Sequence, residues 1–193
     1  TKVEPHYGKL EFKNYNKNDN NDAIGIYYQI FNQDYDYTKA SKLFLLESII
    51  REPFFDQLRT KEQLGYLVNS SSYNILDSYG LIFLIQSPVK DSQYLSDRIK
   101  LFQKSFVNKL KEYSASDFDS QKEALIFNIA EPDKRLDQLA NRLIKEISNQ
   151  SFQYDKKDKL INAISKLNLN DIVQFYQEYI INGDAIEVHQ IKQ

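Results

Sequence analysis

Hydrophobic and polar residues alternate with a period of two in the first part of the chain, which is the pattern of β-strands. Leu10 and Phe12 alternate with polar residues, and a second alternating run follows a turn rich in Asn, Asp and Lys at residues 13–22. One face of the second run is apolar and carries Ile24, Ile26, Tyr28 and Ile30. Its other face carries Tyr27, Gln29 and Phe31. We therefore predict two strands, the second of them covered on both faces.

The next stretch has mostly apolar residues at helical spacing from position 43 to position 54. Thr38 can cap the start of this predicted helix by accepting a backbone N–H. Pro53 lies inside the pattern and predicts a kink or a restart, because its ring clashes with the carbonyl four residues earlier. Gly65 is the predicted end of the helix, since glycine tolerates the left-handed conformation that ends helices.

Two further strands are predicted at residues 66–72 and 79–85, with a hairpin loop between them at 74–78. The pattern is then helical as far as Gly183, and a last strand is predicted at residues 185–191. The clearest helical stripe consists of Leu95, Ile99, Phe102, Phe106 and Leu110. Hairpin-linked strands with helices grouped after them predict an α+β fold, in which helices pack on one face of a mostly antiparallel sheet.

The composition is that of an ordinary globular domain, with 41% hydrophobic and 27% charged residues. The 193 residues fit a single domain, 1–193, better than two. The chain has 25 basic and 27 acidic residues, and this near balance argues against a nucleic-acid or anionic-membrane partner. No apolar run approaches the roughly 20 residues of a membrane span. Because the chain has no methionine, we interpret it as a piece of a longer protein or as a product trimmed at its start.

Residue types that support metal or nucleophilic chemistry are few and scattered. His6 and His189 are the two histidines, and neither has a second ligand at metal-binding spacing. The chain has no cysteine, which excludes disulfides, thiolate zinc sites and a cysteine nucleophile. The serines at 70–72 lack the glycine-flanked elbow of serine hydrolases. We therefore expect both histidines to be structural or solvated, and the chain to hold no cofactor of its own.

The segment from Glu52 to Tyr66 combines a helix end, a strand start and two hydrogen-bond donors. Arg59 offers a planar fork of donors for a carbonyl or a carboxylate. Tyr66 offers a neutral hydroxyl at the start of the next strand, so that an extended peptide could meet both side chains at one corner. A simpler interpretation is that Arg59 complements the helix dipole and that Tyr66 is a half-buried strand aromatic. On spacing alone the simpler interpretation has the advantage.

A resemblance to a known family is carried by three stretches: residues 21–29 (NDAIGIYYQ), 51–66 (REPFFDQLRTKEQLGY) and 80–87 (GLIFLIQS). Weaker similarities follow at residues 131–136, 171–176 and 188–189. The stretches come in family order over nearly the whole chain, and the string LRTKEQLGY is highly specific. The sequence resembles the insulin-degrading enzyme (insulysin) branch of the pitrilysin/insulinase zinc metallopeptidases, in the C-terminal, fourth domain, which binds no zinc.

The resemblance implies a peptidase of two halves that close around a chamber, with zinc in the first domain on an inverted His-x-x-Glu-His helix. By the same resemblance, Arg59 binds the substrate backbone, Tyr66 assists at the scissile carbonyl, and Phe55 lines the pocket beside the cleavage site. The implied partners are a small peptide substrate and the N-terminal domains of the parent protein. A cytoplasmic location is expected, since a chain without cysteine fits a reducing compartment.

The inverted zinc motif is absent from these 193 residues, so we expect the chain alone to be inactive and the zinc to lie in another domain of the parent. The Asn-rich turn and residues 71–78 also depart from the family's usual sequence. The alternative is a non-catalytic structural or binding domain of a related inactive subunit, of the processing-peptidase or respiratory core-protein type. A glycine-rich loop would favour the processing-peptidase subunit, and the sequence has none. The presence of both Arg59 and Tyr66 favours the peptidase.

Overall fold

One sheet organises the computed structural model of the chain, which describes residues 8–32, 35–75, 78–148 and 155–192. Its strands are β1 (Gly8–Lys13), β2 (Asp22–Asn32), β3 (Leu67–Ile75), β4 (Ser78–Ser87) and β5 (Ile186–Ile191). They lie in the order β1-β5-β2-β4-β3, and all neighbouring strands are antiparallel except β1 and β5. The predicted mostly antiparallel sheet is confirmed.

Helices connect β2 to β3 and β4 to β5. The first connection holds α1 (Tyr37–Phe55) and a π-helical segment, π1 (Asp56–Lys61). The second holds α2 (Ser92–Lys111), α3 (Ala115–Ala130), α4 (Leu136–Ser148), α5 (Lys156–Ser165), α6 (Leu169–Tyr176) and a second π-helical segment, π2 (Gln177–Ile181). In the part of the chain that the structure describes, no helix is long and apolar enough to cross a membrane.

The ends of α1 differ from the prediction in two ways. Asp36, not Thr38, caps the helix by accepting the N–H of Lys39 at 3.0 Å. The helix neither ends nor restarts at Pro53. Its hydrogen-bond pattern instead widens to the π type at Asp56, three residues after the proline. The predicted restart is therefore absent at Pro53, and the helical geometry first changes at Asp56.

The hydrophobic core lies between one face of the sheet and the helices, which confirms the predicted α+β architecture. The core residues of the central strands and of α2 are Ile24, Ile26, Tyr28, Ile30, Leu81, Phe83, Ile85, Leu95, Ile99, Phe102, Phe106 and Leu110. α1 adds Phe54, whose ring centre lies 5.2 Å from that of Phe83 in β4 and 5.2 Å from that of Phe102 in α2. These ring contacts hold the sheet, α1 and α2 together.

The second face of β2 carries no helix within the described residues, and the predicted coverage of both faces holds on this side only for Tyr27. Tyr27 is buried, because its ring lies over Gly80 of β4, where an added Cβ would come within 2.6 Å of the ring. Phe31 belongs to the core side instead. The pairing with β4 is irregular between Gln29 and Phe31, and this shift lets Phe31 stack on Tyr79 next to the core.

We call this second surface of the sheet the helix-free face. It forms a shallow, open and largely apolar depression of about 340 Å³, lined by Ala23, Ile24, Gly25, Tyr27, Ile82, Leu84, Ile186, Val188 and Gln190. Exposed apolar surfaces of this kind on a sheet are typical of contacts with another domain or another chain.

The isolated chain is expected to self-associate through the helix-free face at high concentration. Val188, 38% exposed near the middle of that face, is the site at which a charge should weaken association most. Val188→Lys should therefore shift the chain toward monomer in sedimentation velocity, with an unchanged melting temperature. Val89→Lys is the control, because Val89 is 69% exposed but lies outside the sheet. A wild-type chain that stays monomeric at every concentration would contradict this expectation.

Candidate functional site

A tight turn carries the chain from the end of π1 back into the sheet. The N–H of Glu62 donates to the carbonyl of Gln57 at 3.0 Å, and the N–H of Leu64 donates to the carbonyl of Leu58 at 3.0 Å. Gln63 lies between these two donors in the left-handed conformation, with a φ of 52°. The segment thus closes in the manner of a left-handed helix cap, except that the cap residue is a glutamine.

Gly65 does not have the role predicted for it, because Gln63 takes the left-handed conformation that ends the helix. A Cβ at Gly65 would lie 1.8 Å from the carbonyl oxygen of Gln86, near the end of β4. Glycine is therefore required at this position for the close approach of two backbones. The consequence is that the turn rests directly on the end of β4.

The turn brings together two of the three predicted site residues. The guanidinium carbon of Arg59 lies 5.8 Å from the centre of the Tyr66 ring, which is within the range of a cation–π contact. Tyr66 is 88% exposed and precedes the first residue of β3. The simpler interpretation, in which Tyr66 is a half-buried strand aromatic, is therefore wrong. Arg59 does lie in the last turn of π1, so its interaction with the helix dipole is compatible with the structure.

Both polar groups of this pair are free to bind a ligand. Within the described residues, neither the Arg59 guanidinium nor the Tyr66 hydroxyl takes part in a hydrogen bond or an ion pair. An arginine presents a planar fork of donors, and a tyrosine hydroxyl presents one neutral donor. The corner therefore offers a cationic and a neutral donor side by side, which suits a carbonyl oxygen or a developing negative charge.

Phe55, the third predicted site residue, ends α1 one turn before Arg59 and is 46% exposed. Its neighbour Phe54 is fully buried in the core, so the pair divides between the inside and the outside of the domain. Among the described residues, Phe55 makes no ring or cation–π contact with Arg59 or Tyr66. It therefore offers an apolar surface that is separate from the Arg59–Tyr66 pair.

An ion pair that the sequence did not reveal lies beneath this corner. Glu62 accepts two hydrogen bonds from Arg98 of α2, from Nε at 2.8 Å and from Nη2 at 2.6 Å. The side-chain amide of Gln57 donates to the same carboxylate at 2.9 Å. The partners Glu62 and Arg98 are 36 residues apart in the sequence, and no local pattern links them. The pair is mostly buried, with 17% of the Glu62 side chain and 26% of the Arg98 side chain exposed.

The protonation behaviour of this pair favours the ionised state at neutral pH. Partial burial acts to raise the pKa of Glu62, but the hydrogen bonds from Arg98 and Gln57 outweigh it, so the pKa lies below its ordinary value. The hydrogen bond to Glu62 in turn raises the pKa of Arg98. The stabilisation is therefore complete above the ordinary pKa of a glutamate and is lost only as the pH falls through the lowered pKa.

His189 has a structural place, in agreement with the prediction for it, and His6 lies outside the described residues. His189 is fully buried in β5, with Nδ1 3.0 Å from the hydroxyl oxygen of Ser92 and Nε2 3.4 Å from a carboxylate oxygen of Glu187. Glu187 also accepts a hydrogen bond from Ser96 at 2.8 Å. These contacts join the last strand to the start of α2.

The described part of the chain contains no group of three or more His, Cys, Asp or Glu residues that could hold a metal ion. The polar cluster around His189 supplies a single imidazole and a single carboxylate at hydrogen-bond distances, with Lys100 2.7 Å from that carboxylate. A zinc site needs at least three converging ligands and excludes a competing ammonium. These residues therefore do not fit a zinc site.

The fold belongs to a class of protein, the α+β domains of pitrilysin-type peptidases. More particularly, the chain belongs to the family described as PQQ synthase PqqF-like, C-terminal lobe domain 4, whose sequence model matches residues 45–144. The matched range contains Phe55, Arg59 and Tyr66. The resemblance to the pitrilysin/insulinase family is thereby confirmed.

Similar proteins of known name agree with this assignment. The insulin-degrading enzyme-like 1, peroxisomal, of Arabidopsis thaliana is 33% identical over 170 residues, which cover 88% of this chain and 17% of the relative. The insulin-degrading enzyme of Mus musculus is 32% identical over 187 residues, which cover 97% of this chain and 18% of the relative. The crystal structure of pitrilysin matches with a TM-score of 0.80 at 25% identity over 93% of this chain and 19% of that one. The chain thus spans less than a fifth of the length of these relatives.

Proposed function

We propose that the chain is the substrate-binding, active-site-completing C-terminal domain of an insulin-degrading-enzyme-like zinc metalloendopeptidase, which cleaves small peptides in a closed chamber. The observation that carries the proposal is the pair of half-buried Arg59 and exposed Tyr66, whose donors are unpaired among the described residues. A purely structural role would leave the presence of two free donors at one corner unexplained. The named relatives are peptidases of which this chain matches one part.

In the proposed mechanism, each of the three site residues has one task. Tyr66 donates a hydrogen bond to the carbonyl oxygen of the scissile bond, and this bond strengthens as negative charge develops there. Arg59 holds the neighbouring backbone carbonyls of the peptide through its fork of donors, and so fixes the position of the scissile bond. Phe55 offers an apolar surface to a side chain beside that bond. Zinc, held by another domain of the full-length enzyme, would supply the activated water.

The isolated chain is expected to bind no zinc at stoichiometric level and to cleave no peptide, because its described residues contain no set of metal ligands. Isothermal titration calorimetry with zinc, and incubation with a fluorogenic peptide, check both points. The control is the full-length protein, which should bind zinc and cleave the peptide. Tight binding of one zinc per isolated chain, or zinc-dependent cleavage by it, would show that the assignment of the metal to another domain is wrong.

Replacement of Arg59 tests the binding role in the full-length protein. Arg59→Ala is expected to raise KM and also to lower kcat, with a loss in kcat/KM of roughly 10–100-fold, since a hydrogen bond to a charged group contributes about 1.5–3 kcal/mol. Arg59→Lys should recover little, because an ammonium group cannot reproduce the planar fork. Steady-state kinetics on a short fluorogenic peptide give both constants.

The matched control is Arg135→Ala, which removes an exposed arginine, whose side chain pairs with nearby Asp137 in the part of the chain that the structure describes. It should leave KM and kcat unchanged. If Arg59→Ala behaves like this control, or if lysine restores full activity, Arg59 does not bind the substrate through its fork of donors.

The alternative is a non-catalytic domain of a related inactive subunit, and the lack of a metal site among the described residues is compatible with it as well. The two functions differ in the rest of the protein. An intact His-x-x-Glu-His motif in the first domain of the full-length protein, together with peptide cleavage, decides for the peptidase. The cytoplasmic location stays a prediction, and the name of one relative places that protein in peroxisomes.

A further inference from the structure

The turn between Arg59 and Tyr66 is held to the rest of the domain by its buried Leu64, by the close approach of Gly65 to β4, and by one ion pair to α2. Arg59 lies in π1 and Tyr66 lies just before β3, with the turn between them. Within this turn, Glu62 makes a polar side-chain contact to a distant element, through the two hydrogen bonds from Arg98. A backbone motion of the turn that displaces Glu62 must therefore stretch or break the Glu62–Arg98 pair.

We infer that Glu62 and Arg98 are positioning residues of the proposed peptidase site, and that their two-point ion pair sets the placement of Arg59 relative to Tyr66. The inference rests on the proposed function for its catalytic consequence. The immobilisation of the turn by this ion pair follows from the observed contacts and does not depend on the proposed function.

Arg98, the partner of Glu62 in the ion pair, lies on a rigidly packed helix. Arg98 lies on α2 between Leu95 and Ile99, both of which are fully buried in the core. The helix beneath Arg98 therefore cannot rotate without disturbing the packing of the sheet. A bidentate arginine–carboxylate pair fixes direction as well as distance, because two parallel hydrogen bonds resist rotation of the carboxylate. Gln57 holds the same carboxylate from within π1, so Glu62 also fixes the π-helical turn.

The backbone of the turn that carries Glu62 has an unusual conformation, which requires support from surrounding contacts. A π-helical turn is uncommon, and a glutamine in the left-handed region carries a conformational cost that glycine would avoid. Gln63 follows Glu62 directly, so the ion pair is placed where the chain leaves its regular helical path. Conformations of this kind persist only where surrounding contacts determine them, and here the Glu62–Arg98 pair supplies one of those contacts.

The test of the catalytic consequence is Glu62→Gln in the full-length protein, which keeps the size of the side chain and removes its charge. We expect kcat/KM to fall by about 10–100-fold, because small misplacements of catalytic groups cost up to this much. Lys61→Gln is the matched control, since it breaks the exposed Lys61–Asp56 pair of the same segment without touching α2. It should keep wild-type kinetics. Exchange of the pair, Glu62→Arg with Arg98→Glu, should restore part of the loss.

A double-mutant cycle separates positioning from general weakening of the fold. If Glu62 acts through Tyr66, Glu62→Gln should have little further effect on kcat in a protein that already carries Tyr66→Phe. A purely structural role predicts that the two losses multiply, and that result overturns the inference. Wild-type kinetics for Glu62→Gln also overturn it, while leaving the proposed function intact if Tyr66→Phe is impaired.

Hydrogen exchange on the chain itself provides a readout independent of activity. Glu62→Gln should raise the exchange rates of the amides at residues 58–66 by about tenfold or more, and Lys61→Gln should not. If Tyr66→Phe has wild-type activity, the proposed function fails, and the exchange rates alone then decide whether the ion pair holds the turn. Unchanged exchange in Glu62→Gln overturns the inference whatever the activity.

Discussion

Tyr66→Phe is expected to lower kcat of the full-length protein by about 10²–10³, or ~3–4 kcal/mol, which is the usual cost of removing one donor to a developing oxyanion. The substitution removes only the hydroxyl and keeps the ring that contacts Arg59. Because Tyr66 is 88% exposed and its hydroxyl is unpaired in the described structure, no internal hydrogen bond is lost with it. The loss should appear mainly in kcat, since the bond strengthens only as charge develops.

Tyr73→Phe is the matched control for this prediction. Tyr73 is also an exposed tyrosine, it lies on β3 seven residues after Tyr66, and it belongs to no part of the proposed site. Steady-state kinetics on a short fluorogenic peptide, with zinc content and melting temperature measured alongside, give the comparison. Zinc content should not change in either variant, because the metal is expected in another domain. If Tyr66→Phe retains the kcat of the wild type, the oxyanion role is refuted and Tyr66 is only an exposed aromatic.

The elements of the fold could be predicted from sequence because each has a local period. The alternation in β2 and the stripe in α2 both identify core residues that the structure buries. The order of the strands could not be predicted in the same way. β5 pairs in parallel with β1 and inserts between β1 and β2, and this pairing joins residues at opposite ends of the chain. Periodicity records which face of a strand is apolar, and it carries no information about the neighbouring strand.

The second face of β2 is another feature that the residue pattern did not predict correctly. Aromatic residues on the second face of β2 predicted a second layer of structure, yet Tyr27 is buried by lying over Gly80 of its own sheet. Phe31 changes sides through an irregularity in the β2–β4 pairing that no local signal marks. An apolar side chain therefore indicates burial, whereas the contact that buries it depends on the position of residues far along the chain.

The candidate site was predictable to the extent that it is local. Arg59 and Tyr66 are joined by a short turn, so their proximity follows from a helix end that meets a strand start. The details of the turn were not predictable, because a glycine at position 65 resembles a helix stop. Its actual constraint is the carbonyl of Gln86, which is 21 residues away along the chain and adjacent only after the sheet has formed. The Glu62–Arg98 pair could not be predicted for the same reason, because its two residues become neighbours only in the folded chain.

Phe54→Ala is expected to destabilise the isolated chain by about 3–5 kcal/mol, the usual cost of removing a large aromatic side chain from a core. Phe54 is fully buried and contacts aromatic rings of both β4 and α2, so its removal leaves a cavity where three elements meet. The neighbouring Phe55→Ala should change the unfolding free energy by only about 0.5 kcal/mol or less, because Phe55 is half exposed. Urea denaturation of both variants gives the two values.

The comparison tests whether Phe54 stabilises the fold while its neighbour Phe55 stays available to the substrate. Phe54 anchors the end of α1, and the segment that follows it carries Arg59, so a loss of core packing at Phe54 should also loosen the site. Phe55 contributes apolar surface on the outside, where in the proposed function it contacts the substrate. In the full-length protein, Phe55→Ala should therefore alter which peptides are cleaved, without a change in melting temperature. Equal destabilisation by the two substitutions would mean that Phe55 is held by the fold, and its exposure could then no longer be taken as a sign of substrate contact.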